Sequence, residues 1–265
     1  MCDTCGCSDS NKIIIRKLNP EGDNEYQDSH HDPHDHTHDH EHGHDHNHVH
    51  SHRKLMIETD ILGKNNLLAE RNRGYFEAKG IFTLNMMSSP GSGKTLLLEK
   101  TIMRTGLDTT IAVIEGDQQT LNDARRIQNT GAEVIQVNTG NGCHLDADMI
   151  NKALHELNPD NNSILVIENV GNLVCPSLFD LGEAKRVVII STTEGEDKPI
   201  KYPTMFEKAD LLIINKTDLL PYLDFDMESL KDYALQVNHH LEFIELSAKT
   251  EEGIDEWIRW INKHK

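Results

Sequence analysis

Residues 88–95 read Ser-Ser-Pro-Gly-Ser-Gly-Lys-Thr, set between an apolar run at 81–87 and Leu96, Leu97 and Leu98. Small residues at Ser89, Pro90, Gly91, Ser92 and Gly93 allow successive backbone N–H groups to close around phosphate oxygens at a helix N-terminus. Lys94 then reaches the β and γ phosphates, and the Thr95 hydroxyl is placed for Mg2+. The usual pattern opens on Gly five residues ahead of Gly93, and here Ser88 holds that place. Strand, phosphate loop and helix in this order bind a nucleoside phosphate. Lys94 is the candidate for stabilising charge during phosphoryl transfer to water.

A second segment addresses the base. Asn215, Lys216 and Asp218 lie in Asn-Lys-Thr-Asp at the end of the apolar run 211–214. A carboxylate at Asp218 accepts two hydrogen bonds from the N1–H and 2-amino groups of guanine, donors that adenine does not present in that arrangement. Ser247, Ala248 and Lys249 follow another apolar run, 241–246, where a backbone N–H faces the base oxygen. The expected preference is GTP over ATP.

Acidic residues that respond to the γ-phosphate are expected at strand ends. Asp117 closes the run 110–115 in Glu-Gly-Asp and is a candidate for binding Mg2+ or orienting the attacking water, with a helix N-cap as the competing role. Glu168 closes 163–167 and is followed by Gly171, a point suited to a segment that moves with nucleotide state. The longer Glu side chain suggests a water-mediated contact to Mg2+. No side chain is evidently dedicated to activating water, so a slow intrinsic rate is expected.

Three clusters have the chemistry of metal ligands. Cys2, Cys5 and Cys7 sit in Cys-Asp-Thr-Cys-Gly-Cys, a sulfur-rich set that favours Ni(II), with Zn(II) or copper competing. Between residues 30 and 52 there are twelve histidines, among them His34, His36, His38, His40, His42, His44, His46, His48, His50 and His52. Imidazoles at this density make labile sites for Ni, Zn or Cu. The third cluster is Cys143 and His144 with Cys175, three ligands with a fourth position open, as in a site that holds and releases its ion. Singly, each of these three residues has an ordinary role as a packed core side chain.

The elements that position these groups follow from pattern. The stretch up to residue 52 carries eleven Asp or Glu against three Lys or Arg and few apolar residues. We expect a cysteine motif at 1–10 and a disordered His-rich tract at 11–52. A helical lead-in over 53–80 offers Leu55, Ile61, Leu62, Leu67 and Leu68 as an apolar stripe that packs on the main domain. From 81 to 265 seven apolar runs, at 81–87, 110–115, 133–138, 163–168, 186–191, 210–214 and 241–246, alternate with helical patterns. That is an α/β fold with a mostly parallel sheet covered on both faces, closed by a helix carrying Ile254, Trp257, Ile258 and Ile261. The net charge of −18 excludes a nucleic-acid or anionic-membrane binder, and no run approaches the ~20 residues of a membrane span. Five cysteines at close spacing, with no signal segment, are expected in a cytoplasmic protein.

From Arg53 onward the chain resembles the hydrogenase maturation nickel-insertion GTPases, the HypB family. The resemblance rests on residues 88–95, Glu-Gly-Asp-Gln-Gln-Thr (115–120), Gly-Cys-His-Leu-Asp-Ala (142–147), Glu-Asn-Val-Gly-Asn-Leu-Val-Cys-Pro (168–176) and Asn-Lys-Thr-Asp (215–218). It implies a P-loop NTPase of the SIMIBI type that hydrolyses GTP to GDP and dimerises on GTP. It further implies delivery of nickel to the precursor of a [NiFe]-hydrogenase large subunit, together with the small metallochaperone HypA. Cys143, His144 and Cys175 inherit a Ni or Zn site near the dimer interface. Two rivals are a urease-type metal-delivery GTPase, which shares the phosphate loop and a His-rich start but carries Cys-Pro-His in place of Gly-Cys-His and lacks the 168–176 motif, and a nickel or zinc store with a regulatory nucleotide domain, against which intact Lys94, Thr95 and Asp218 argue.

Overall fold

The computed structural model describes residues 13–18, 24–27, 47–105, 109–118, 120–140 and 142–265. In chain order the elements are β1 (Ile14–Lys17), β2 (Asn24–Gln27), α1 (Asn47–Lys79), β3 (Phe82–Ser88), α2 (Lys94–Thr105), β4 (Ile111–Asp117), α3 (Asn122–Gln128), β5 (Glu133–Asn138), α4 (Ala147–Leu157) and β6 (Ile164–Glu168). They continue with α5 (Cys175–Leu178), β7 (Lys185–Ser191), α6 (Lys198–Lys201), α7 (Pro203–Glu207), β8 (Leu211–Asn215), a 3-10 turn (Thr217–Tyr222), α8 (Met227–Val237), β9 (Glu242–Glu245) and α9 (Ile254–His264).

All seven apolar runs become strands of one sheet, ordered β2-β1-β5-β4-β6-β3-β7-β8-β9. From β5 to β9 every neighbour is parallel, whereas β1 lies antiparallel to both β5 and β2. From β3 the chain crosses through α2 to β4 on one side. From β6 it crosses to β7 on the other side. The carboxyl ends of the adjacent strands β3 and β6 thus flank a topological switch point, where open α/β sheets bind ligands.

Alternate residues of each strand enter opposite cores. Leu84, Met86, Val113 and Ile213 meet Leu97 and Leu98 of α2 and Trp257 and Ile261 of α9. On the other face, Ile114, Leu165 and Ile167 meet Ile150 and Leu154 of α4, while Ile190, Leu212 and Ile214 meet Phe206 of α7 and Leu230 of α8. Between these two halves the central strand β3 offers the buried polar side chains Thr83 and Asn85.

Within the tract 11–52, the described residues 13–18, 24–27 and 47–52 carry β1, β2 and the start of α1. An Ile13, Ile14, Ile15 run pairs with β5 and turns Ile13 and Ile15 toward the core. His48, His50 and His52 accordingly fall on helical backbone, whereas Cys2, Cys5, Cys7 and His34 through His46 lie outside the described residues. The stripe expected on α1 is met only in part: Leu62 and Leu68 are half-buried, while Ile61 is 43% and Leu67 75% exposed. Fully inward on α1 are Asn65, Ala69, Asn72 and Phe76. Asn65 donates to Asp180 O at 2.8 Å and accepts from Ala147 N at 2.9 Å. Asn72 donates to Ala147 O at 2.9 Å and to Leu181 O at 3.2 Å. Carboxamides make these bonds because the segments they face end in unpaired backbone groups that need partners when buried.

Candidate functional site

The phosphate loop has the backbone its residues predict. Gly91 and Gly93 adopt positive φ, +76° and +93°, which explains glycine at both. Ser88 is the last residue of β3, paired with Ile189 and absent from the positive-φ residues. Strand geometry makes no demand for glycine there, which accounts for the departure from the usual pattern. Gly171 approaches the loop closely, since a Cβ built there would lie 3.2 Å from Pro90 Cα. Ser89 Oγ donates to Glu194 Oε2, whose other oxygen accepts Ser191 N at 2.9 Å.

Two carboxylates stand beside the loop. Glu115 and Glu168 are register partners on β4 and β6, and both line the cleft with Lys94, Thr95 and Asp117. Thr95 Oγ1 donates to Glu168 Oε1 at 2.6 Å, and Lys94 Nζ lies 3.6 Å from the same oxygen. Burial pushes the Glu168 carboxyl up, against the opposing pull of Lys94 and Thr95. Burial, then the Glu168 charge, pushes Glu115 up to about 8. Glu115 Oε2 and Glu168 Oε2 are buried without hydrogen-bond partners. Orphaned acceptors of this kind beside a Thr hydroxyl fit a hard divalent cation such as Mg2+, whose charge would remove the penalty. Asp117 lies at the rim of this cleft, but its carboxylate caps the following turn, accepting from Gln118 N at 2.6 Å, Thr120 N at 3.0 Å and Thr120 Oγ1 at 2.8 Å.

The segment expected to read the base is bonded to the phosphate loop. Asn215 Nδ2 donates to Ser92 O at 2.8 Å, and Asn215 Oδ1 accepts Ala248 N at 3.0 Å and Lys216 N at 2.8 Å. Lys216, at φ +65°, donates Nζ to Gly91 O at 2.7 Å. Asp218 Oδ1 accepts Ser247 Oγ at 2.7 Å, which orients its carboxylate. Ala248 N–H is thus committed to Asn215, so residues 247–248 brace the Asn-Lys-Thr-Asp segment, and Lys249 is exposed beside them.

Cys143, His144 and Cys175 converge. Their ligand atoms all lie within 4.8 Å of one another. Cys143 and His144 follow the turn closed by Gly142 N donating to Thr139 O at 2.8 Å, and Cys175 opens α5. The His144 ring stacks on Phe179 at 3.9 Å and 17°. Burial lowers its pKa against the pull of Asp146, so the imidazole is held neutral, as a ligand nitrogen must be. Two thiols and one imidazole suit Ni(II) or Zn(II).

Sequence reading missed Glu115, Asn169 and Glu194 as site residues. Glu115 had a detectable signal: its register places it opposite Glu168 once the strand order is known. Asn169 and Glu194 act through bonds across the sheet, for which residue spacing carries no signal.

The CobW/HypB/UreG nucleotide-binding domain model matches residues 82–245. A hydrogenase maturation factor HypB of Escherichia coli (strain K12) is 57% identical over 213 residues, covering 80% of this chain and 73% of that protein. A hydrogenase/urease maturation factor HypB of Helicobacter hepaticus is 41% identical over 206 residues, covering 76% of this chain and 84% of that one. The crystal structure of HypB from Helicobacter pylori in complex with nickel superposes with a TM-score of 0.72 at 37% identity, over 76% of this chain and 94% of that chain.

Proposed function

The chain belongs to the HypB hydrogenase maturation factors of the CobW/HypB/UreG family, and on that footing we propose that it is a GTP-hydrolysing nickel metallochaperone. In this reading it stores nickel on its N-terminal ligands and delivers it to the precursor of a [NiFe]-hydrogenase large subunit in the cytoplasm, with HypA as a second partner. The observation that supports it most is the meeting of Cys143, His144 and Cys175 within 4.8 Å, on segments that adjoin the nucleotide cleft. Cys175 follows Glu168 by seven residues, so one segment serves both sites.

Hydrolysis in this scheme is attack of water on the γ-phosphorus. Lys94 and the loop N–H groups hold the phosphates, and Thr95 and Glu168 would hold a Mg2+, with Glu115 behind them. The ion would supply positive charge to the phosphoryl group. Asp218 selects guanine. With GTP bound, the segment from Glu168 to Cys175 orders around the γ-phosphate, two subunits meet, and the geometry at the metal ligands changes; hydrolysis reverses this and releases Ni2+. Coupling of this kind is reciprocal: if GTP alters metal affinity, metal alters GTP affinity by the same factor.

The test is GTP turnover and oligomeric mass, with and without Ni2+ and Zn2+, on the parent and Cys143→Ala. Metal is expected to change turnover or the GTP-driven dimer, and the variant to lose that response. If neither property of the parent responds, the delivery reading fails. A urease precursor is a second recipient, a reading favoured by the Helicobacter hepaticus relative and separable by maturation assays on both enzymes. A storage protein would keep its function in Lys94→Ala, and a delivery GTPase would not.

A further inference from the structure

Buried asparagines in this protein connect segments that the sequence keeps far apart, and one of them lies between the two sites. Asn169 follows Glu168 directly and is fully buried. Its backbone oxygen accepts Lys94 Nζ, and its own N–H donates to Met86 O at 3.0 Å. Its side-chain Oδ1 accepts Leu145 N at 3.2 Å and Val170 N at 3.0 Å, while Nδ2 donates to Asn85 Oδ1 at 3.3 Å. Asn85 Nδ2 in turn donates to Glu183 Oε1 at 3.2 Å.

Leu145 N–H belongs to the same peptide unit as the carbonyl of His144, so whatever holds that N–H holds His144. Leu145 itself is fully buried, and its side chain fills the space above Gly116, where an added Cβ would meet Leu145 Cδ1 at 2.8 Å. The other half of the metal set, Cys175, is six residues downstream of Asn169 on the same segment. Both halves are therefore attached to Asn169, one by a hydrogen bond and one by the chain.

We propose that the Asn169 side chain is the positioning group that passes the state of Lys94 to Cys143 and His144. This rests on the delivery reading, because it supplies the contact through which nucleotide and metal sense each other. In the state described here the Lys94 ammonium is bonded to the Asn169 carbonyl. A phosphate oxygen within reach of Lys94 competes for that ammonium, and residue 169 is released from it. Buried hydrogen bonds are costly to leave unmade, so a shift of the Asn169 oxygen draws Leu145 N–H with it. An aliphatic side chain of similar size would fill the volume but leave Leu145 N–H and Val170 N–H without acceptors. Asn169 is not a metal ligand, and its side chain has no contact with Lys94.

The test uses the full chain with Cys2, Cys5 and Cys7 replaced by Ser, so that the thiolate-to-cobalt charge-transfer band of bound Co2+ reports Cys143 and Cys175 alone. Co2+ affinity is measured with GDP and with a nonhydrolysable GTP analogue. The parent is expected to show a ratio of about 5-fold or more between the two. Asn169→Ala is expected to bind GDP, to form the thiolate band, and to bring the ratio to within about twofold of unity. Asn169→Asp, which keeps an oxygen for Leu145 N–H, is expected to retain most of the parent ratio. Asn169→Ser, too short to reach Leu145 N, serves in place of the alanine variant if that one fails to bind GDP. A parent-like ratio in Asn169→Ala or Asn169→Ser overturns the proposal. So does a ratio in Asn169→Asp that collapses as fully as in Asn169→Ala. A parent ratio of unity overturns the delivery reading itself and the role of Asn169 with it, and is recognised because it appears before any change at residue 169.

Discussion

Asn215 Nδ2 donates to Ser92 O across 2.8 Å, so the Asn-Lys-Thr-Asp segment and the phosphate loop are a single bonded unit. A Cβ at Gly93 would lie 2.4 Å from that same Nδ2. The spacing between the two segments is therefore set by this carboxamide together with Lys216 Nζ, which donates to Gly91 O.

Gly93→Ala is expected to displace Asn215 and, at φ +93°, to strain the loop as well. Nucleotide affinity should fall by about tenfold or more for GTP and GDP alike, read by fluorescent-nucleotide titration. Gly91→Ala, at φ +76° with open space around it, carries only the conformational cost of about 1 kcal/mol and should fall less.

Asp218→Asn replaces one carboxylate acceptor by an amide donor. Ser247 Oγ still orients the side chain. GTP affinity is expected to drop by about 100-fold, and affinity for xanthosine triphosphate, which offers an oxygen at position 2, to rise. Competition between the two nucleotides measures the exchange.

Glu115→Gln keeps the shape of the side chain but cannot give up a proton to become anionic when a cation arrives. The Mg2+ concentration that gives half-maximal GTP turnover should rise about tenfold, because one of the two orphaned oxygens can no longer become anionic. Lys94→Ala should lower turnover by about 100-fold or more at any Mg2+ concentration, and turnover equal to the parent would remove Lys94 from the chemistry.

Trp257 is 1% exposed, donates Nε1 to Thr101 Oγ1 at 2.8 Å and stacks on Trp260 at 5.6 Å. Trp257→Ala should cost about 3–5 kcal/mol in urea unfolding. Thr101→Val, which removes the acceptor for Trp257 Nε1 and the hydroxyl donor to Leu97 O, should cost about 1–3 kcal/mol.

The strands were legible because parallel strands buried on both faces read as continuous apolar runs, and 133–138 matches β5 to the residue. The phosphate loop was legible because its glycines answer a backbone demand that few other residues meet. The inward face of α1 was not. Hydrophobic periodicity selected Ile61 and Leu67, whereas docking is done by Asn65 and Asn72 on carbonyls of segments that only the folded chain brings near. β1 escaped notice because the acidity around it outweighed three consecutive isoleucines. Cys143, His144 and Cys175 were singled out by residue type and by the family resemblance, and their convergence needed the fold.

The register of β3, β4 and β6 sets Met86 and Glu115 on either side of Glu168. Carboxylates from strands more than fifty residues apart in sequence are adjacent, so the proposed cation site has no local precursor and can form only once the sheet has closed. During synthesis the phosphate loop emerges first, Glu168 later, and Asp218 and Ser247 last. The residues proposed to read the base are thus the last parts of the site to be made, and the site is complete only when β8 and β9 have joined the sheet. Ligand that binds only the finished arrangement stabilises the native state alone, so nucleotide acts on this chain as a seal on completed folding and gives no help in starting it.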